Sequence, residues 1–137
     1  MKVLVIYCTS FAYLPATKTL PDFEDVTSGR TFSDCIVAFI QVEEDDEEKE
    51  LSSREKKLVN HLKWTARKNN TSTIVLHSFA HLSASKASVN YTKTLFDQAE
   101  MRLQKGGYLT EQTPFGYFLD LNINAPGFSL ARIWADL

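Results

Sequence analysis

Hydrophobic and polar positions along this chain follow two periods, one of strands and one of helices. Lys2-Val3-Leu4-Val5-Ile6-Tyr7 is a short β-branched run that reads as a buried first strand. Ser10 to Tyr13 reads as a second strand ended by Pro15, and Ala16 to Arg30, with Pro21, Gly29 and several Asp, Ser and Thr residues, reads as a surface loop. Cys35-Ile36-Val37-Ala38-Phe39-Ile40-Gln41-Val42 is the most apolar stretch of the chain, which argues for a central strand covered on both faces. Thr73 to Phe79 is another strand. Tyr108 to Thr110 reads as a short edge strand, and Tyr117, Leu119, Leu121 and Ile123 alternate with Phe118, Asp120 and Asn122 as a strand with unequal faces does. Asn124 to Gly127 breaks it.

The helical period appears twice. Ser52 and Glu55 have the spacing of a capping box, and Leu58, Leu62 and Ala66 then recur on one face, predicting a helix over about residues 53–68. A second helix begins near Ser88, with Thr92, Leu95, Phe96, Ala99 and Leu103 as its inner stripe and Gly106-Gly107 as its left-handed stop. Phe128 to Leu137 reads as a short amphipathic helix, an ending that suits both a domain cut from a longer chain and a free-standing protein. The order of elements predicts an α/β domain: a mixed β-sheet with two main helices packed on it.

At 137 residues and 44% hydrophobic, the chain has the size of one domain spanning 1–137 and can bury a real core. No apolar run approaches the ~18 residues of a membrane span, and the opening turns polar too soon for a signal peptide, so a cytoplasmic protein without membrane contact is expected. Cys8 and Cys35 lie in apolar stretches without metal-ligand spacing and read as buried free thiols. The formal charge of -2 hides a segregation. Seven acids fall within Glu43–Glu50, which reads as a solvated loop, while from residue 51 onward eleven Lys and Arg face six Asp and Glu. That basic excess suits a polyanion or a plain solvated surface equally.

The five glycines form no GxGxxG or P-loop pattern, so ATP and dinucleotide chemistry are not expected. His61, His77 and His81 form no ligand set with one another or with the cysteines, and the acidic run lacks the spaced oxygens of a calcium loop, so no metal is expected. His61 reads as a solvated mid-helix residue and His77 as a hydrogen-bonded structural residue within a strand. His81 stands apart, because Phe79-Ala80-His81-Leu82-Ser83 leaves a strand end and enters a loop before a helix, where α/β sites collect. Ser83 and Ser85 lie close enough in sequence for a serine-histidine pair, yet no nucleophile elbow accompanies them.

Three blocks taken together, Val37-Ala38-Phe39-Ile40-Gln41-Val42-Glu43, Phe79-Ala80-His81-Leu82-Ser83 and Pro114-Phe115-Gly116-Tyr117, resemble segments of the N-terminal editing domain of archaeal threonyl-tRNA synthetases. With Lys2-Val3-Leu4-Val5-Ile6 they fall in the right order and span nearly the whole chain. The resemblance implies a fold like that of D-aminoacyl-tRNA deacylase, a homodimer, and hydrolysis of serine wrongly esterified to the 3′ end of threonine tRNA. It implies His81 as the catalytic side chain, with Val42, Ala80, Phe115, Gly116, Tyr117 and Phe118 around the seryl group. It also implies assistance from the tRNA 2′-hydroxyl, no cofactor in this domain, and a synthetase catalytic domain working in cis or in trans.

The chain departs from that pattern at two points. The family continues Tyr-Tyr-Lys after Pro-Phe-Gly, where this chain has Tyr117-Phe118-Leu119, and the family's Pro-Leu-Ala-Glu is Ser129-Leu130-Ala131-Arg132 here. Backbone and RNA then carry most of the chemistry, or the chain is a non-catalytic module that binds the acceptor end or a dimer partner. A general D-aminoacyl-tRNA deacylase is a third reading, though that family's own motifs are not found.

Overall fold

The computed structural model describes all 137 residues. Its elements follow the chain as β1 (Lys2–Lys18), β2 (Arg30–Gln41), α1 (Glu44–Glu47), α2 (Leu51–Lys68), β3 (Thr73–Ser78), α3 (Val89–Lys105), β4 (Leu109–Gln112), β5 (Tyr117–Asn124) and β6 (Arg132–Asp136). The mixed sheet runs β4-β3-β2-β1-β5, with β6 also on β1. Strands β2, β3 and β4 are parallel, whereas β1 pairs antiparallel with β2, β5 and β6. Parallel neighbours need a crossover, and α2 and α3 supply the two.

Both helices pack on one face. Val3, Val5, Ile36, Ala38, Ile40, Ile74 and Leu76 meet Leu58, Leu62 and Ala66 of α2 and Leu95, Phe96, Ala99 and Leu103 of α3 in one cluster. Each fully buried Leu, Ile or Phe there stabilises the fold by roughly 1.5–3 kcal/mol. The predicted inner stripe of α3 is thus correct except for Thr92, which is only partly buried and turns to a pocket instead. The Ser88 hydroxyl caps α3 by accepting from the Tyr91 amide, and Gly107 at φ 90° provides the left-handed stop. On the other face Cys8, Phe11, Phe32, Cys35, Val37, Phe39 and Val75 form a second cluster with no helix residue in it. Both cysteines are free and buried, and they lie opposite each other in the β1–β2 register. Cys8 and Phe11, three apart, share this cluster, as do Cys35 and Phe32, so strict alternation lapses on both strands where Asp34 adopts φ 51°.

Several expectations are corrected. The two predicted N-terminal strands are one, β1, which passes through Pro15 and shortens the loop to Thr19–Gly29. Proline is tolerated because the β1–β5 register shifts between Pro15 and Thr17, and β2 reaches only as far as Tyr13 on the other edge. The C-terminal segment is not a helix. After a 3₁₀ turn at Ser129–Ala131 it forms β6, pairing from Lys2↔Asp136 to Ile6↔Arg132, where the edge of β1 is open.

Nor does the Ser52–Glu55 capping box form: α2 starts at Leu51, and Glu55 is drawn inward to Arg102 of α3 at 2.5 Å. The acidic run is not simply a solvated loop. Glu43 and Asp46 make the capping box of α1, and Asp46 is buried against Arg54 at 2.8 Å. His61 is half-buried rather than solvated, its ring stacked near Trp64 at 6.2 Å.

Candidate functional site

Strand ends on the β2–β3 side build a pocket of about 460 Å³. Because β2 and β3 are parallel, their C-terminal ends open on the same edge of the sheet, where α/β proteins commonly bind ligands. Val42 comes from the end of β2 and Phe79, Ala80 and His81 from the end of β3; Lys86, Val89 and Thr92 come from the approach to α3 and its first turn. The opposite wall is Pro114-Phe115-Gly116-Tyr117-Phe118 with Leu119 and Leu121, and Thr19 and Leu20 close the side. All seven residues singled out from the sequence, Val42, Ala80, His81, Phe115, Gly116, Tyr117 and Phe118, therefore line one cavity, although they span 77 positions of chain.

The loop carrying His81 is held from below by a single amide. Gln41 is buried, and its Oε1 accepts from the Leu82 and Ser83 amides at 2.6 and 2.7 Å. Its Nε2 donates to the Ser83 and Ser85 carbonyls at 2.8 and 2.9 Å. Backbone bonds flank this clamp, Phe79 N to Ile40 O at 3.0 Å and Ala87 N to Val42 O at 2.9 Å. Ser83 and Ser85 are spent on the same buttress. The Ser83 hydroxyl donates to Glu43 at 2.7 Å, and the Ser85 hydroxyl accepts from the Glu44 amide at 3.0 Å. Neither hydroxyl is hydrogen-bonded to His81.

Aromatic packing sets the other wall. Phe115 lies 5.0 Å from the Phe23 ring and 6.1 Å from Phe96, and the Tyr117 hydroxyl accepts from the Val26 amide at 3.0 Å. Gly116 has φ 83°, and its carbonyl accepts from Thr19 N at 2.7 Å and Leu20 N at 3.2 Å. A Cβ on Gly116 would stand 2.8 Å from Leu20 Cβ, so only glycine fits between this wall and the side of the pocket.

His81 is exposed, its ring 5.0 Å from Phe79 and stacked with Phe118 at 6.4 Å. His77 also lines the cavity but is buried, bonded through Nδ1 to the Thr113 hydroxyl at 2.9 Å, with burial pulling its pKa down to about 4. It is neutral at physiological pH, a structural histidine as its strand position suggested. No carboxylate lines the pocket. With His77 neutral and the Tyr117 hydroxyl engaged, His81 and Lys86 are the ionisable side chains open to a ligand.

Sequence reasoning missed Gln41 and Lys86 as parts of this site. A glutamine inside the most apolar strand was the available signal for the first; Lys86 carried none. No group of three His, Cys, Asp or Glu side chains is placed to hold a metal ion, and no helix is long and apolar enough to cross a membrane.

Comparison with known proteins gives the lineage. The chain is similar to threonine-tRNA ligases of Nitrosopumilus maritimus, at 26% identity over 134 residues, and Methanobrevibacter smithii, at 29% over 135. These matches take in 96% and 97% of this chain but only 21% and 22% of the relatives, so the chain spans about a fifth of their length. Among solved structures it is similar to a c-Myc DNA unwinding element binding protein, with a TM-score of 0.69 over 100% of this chain and 99% of that one at 14% identity, which establishes the D-aminoacyl-tRNA deacylase-like fold. The family model of the archaea-specific editing domain of threonyl-tRNA synthetase matches residues 1–137, and the chain belongs to that family.

Proposed function

We propose that this chain removes serine wrongly esterified to threonine tRNA, with the 2′-hydroxyl of the terminal adenosine assisting the attack of water. The observation that carries the reading is a pocket lined on one wall by Phe115, Gly116 and Tyr117, with His81 and Lys86 also on its lining and no carboxylate among its lining residues. An aminoacyl ester is already activated, so positioning a water and stabilising the oxyanion suffice, and no protein triad is required. His81 positions the substrate or the water, while Val42, Ala80 and Phe118 enclose the seryl side chain.

Discrimination gives such a pocket its purpose. Threonine exceeds serine by one methyl, and a synthetic site gains only ~1–3 kcal/mol from a methylene, about 10–200-fold. A second pocket that is too tight for threonine supplies the rest. Backbone walls suit that task, because Gly116 is locked by three hydrogen bonds to its carbonyl and by Leu20 and cannot swing aside as a side chain does.

The test is to incubate the chain with serine-charged and threonine-charged threonine tRNA. Serine is expected to leave much faster. Equal release of both, or none above spontaneous hydrolysis, rejects the reading. One observation favours the second reading, a non-catalytic module for the acceptor end: Leu119 lines the pocket where the family pattern carries lysine. The same assay decides between them.

The proposal extends to a cytoplasmic homodimer working in cis or in trans with a synthetase body. The helix-free face supports the dimer, since Trp134, opposite half-buried Leu4, stands 57% exposed, and Ile123 and Leu121, opposite Phe11 and Tyr13, stand 40% and 37% exposed. A monomeric mass in light scattering at micromolar concentration would count against it.

A further inference from the structure

Helix α2 concentrates the positive charge of the chain. It holds Arg54, Lys56, Lys57, Lys63, Arg67 and Lys68 against Glu55, a net +5 on one helix in a chain whose total is -2. Arg54 and Glu55 are buried and spent inward on Asp46 and Arg102. The other five cations enter no ion pair. Lys56, Lys57, Arg67 and Lys68 are exposed, and no acid shares their face of the helix.

An aromatic ring sits among them. Trp64 is 41% exposed, with the His61 ring stacked at 6.2 Å and Lys68 Nζ 5.9 Å from its centroid. Lys56, Asn60, Trp64 and Lys68 recur every fourth residue and so form one row along the helix, roughly 18 Å long at 1.5 Å per residue. Cation, amide, flat ring and cation in line are the groups that grip phosphates and stack on bases.

Simpler explanations cover only part of this. Arg67 and Lys68 complement the dipole at the helix C-terminus, and Lys63 reaches the end of α3, where a Cβ on Gly106 would meet its Nζ at 3.2 Å. Lys56 and Lys57 lie in the half of the helix whose dipole favours acids, and Lys63 and Arg67 are like charges at i,i+4, a mildly destabilising pair. Trp64 belongs to neither buried cluster and leaves 41% of its surface open to solvent. A membrane would ask for a broad apolar face beside the charges, and Trp64 is the one exposed large hydrophobic side chain of α2.

We propose that the outward face of α2, with Trp64 between its lysines, is a docking surface for the RNA backbone of the arm whose 3′ end enters the pocket. The inference rests on the tRNA reading above. Helix α2 starts after α1, with eight residues between Val42 of the pocket and Leu51, and, as the crossover between parallel strands, runs back along the sheet for about 27 Å. An RNA strand that clears the acids of residues 43–50 thus meets the unpaired cations along the outward face of α2.

Labelled, uncharged threonine tRNA is titrated with the full 137-residue chain at about 50 and 200 mM salt, where each lost phosphate contact flattens the log–log salt slope by about 0.7–0.9. The triple variant Lys56→Glu, Lys57→Glu, Lys68→Glu is expected to bind at least tenfold more weakly with a flatter slope, and Trp64→Ala about fivefold more weakly. Both should melt like the parent and should hydrolyse a seryl ester on a short 3′-terminal fragment at the parent rate. Unchanged tRNA affinity and slope overturn the proposal, as does an equal loss on the short fragment, or binding to phosphatidylserine vesicles that depends on these residues while tRNA binding does not. Face-dependent tRNA binding without any serine release leaves docking standing and removes the hydrolysis reading. Serine release at equal rates from full tRNA in parent and variants removes docking alone.

Discussion

Gln41 and Ser83 are joined twice, the Gln41 Oε1 accepting from the Ser83 amide at 2.7 Å and its Nε2 donating to the Ser83 carbonyl at 2.8 Å. This is strand-like pairing made by a side chain, and it fixes the segment that presents His81. Replacing Gln41 by Leu strands backbone groups of Leu82, Ser83 and Ser85, at about 1–3 kcal/mol for each buried group that water does not reach. The expected outcome for Gln41→Leu is a loss of about 2–4 kcal/mol in urea unfolding. The surviving folded protein should show a raised KM in deacylation, because the loop wanders. Unchanged stability and KM would show that the clamp is idle.

His77 makes stability depend on pH. Burial lowers its pKa to about 4, below the ~6.5 of an unfolded histidine, so between those values the unfolded chain takes a proton that the folded one refuses. Its contribution is complete above pH 6.5 and is lost as pH falls toward 4. At 1.36 kcal/mol per pH unit the loss between pH 7 and 4.5 is about 2 kcal/mol. Burial lowers the pKa of His61 as well, so the parent carries both effects. His77→Asn sets an amide atom where Nδ1 stands, keeping a partner for Thr113, and removes one titration. Urea unfolding at the two pH values should show the difference shrinking by about 2 kcal/mol in this variant.

Gly116 and Leu20 should couple. Gly116→Ala places a Cβ 2.8 Å from Leu20 Cβ and forces alanine into φ 83°, a backbone cost of about 1–2 kcal/mol before any clash. Deacylation is expected to fall because the wall moves. Leu20→Ala leaves Cβ in place but removes the Cγ and Cδ1 contacts at 3.3 and 3.4 Å. The double variant should therefore recover part of the loss, read as a coupling energy in unfolding and in kcat/KM. Strict additivity would show that the two residues do not press on each other.

His81 should matter less than the RNA. If it positions substrate or water, His81→Ala slows deacylation by about 10–100-fold, below the ~10²–10⁴ usual for a general base. Removing the 2′-hydroxyl of the terminal adenosine should then cost more. Thermal melting of the variant checks that the loss of ring contacts to Phe79 and Phe118 has not unfolded the loop. A folded, inactive His81→Ala alongside normal hydrolysis of the 2′-deoxy tRNA reverses the assignment and makes histidine the base.

By itself the sequence determined the elements whose signals are local. The β2 run is apolar at nearly every position because helices cover one face and the Phe39 cluster the other, so it reads as a buried strand without knowledge of its neighbours. The stripe of α3, its Ser88 cap and its Gly107 stop each follow from a period or a backbone angle carried by a few adjacent residues. Three short blocks contain Val42, Ala80, His81, Phe115, Gly116 and Tyr117, six of the seven residues expected around one site, and all seven line one cavity.

Tertiary structure decided what depends on a partner distant in sequence. Pro15 stays within β1 because a register shift toward β5 accommodates it, and Arg132 to Asp136 becomes a strand because the first residues of β1 offer an open edge. Neither fact is written in the residues concerned. Glu55 abandons a capping role for Arg102, 47 positions away, because a carboxylate on the inner face of a helix must be paired. The clamp of Gln41 on Ser83 is of the same kind: a polar group in an apolar strand announces that a partner exists, and only the folded chain shows which one.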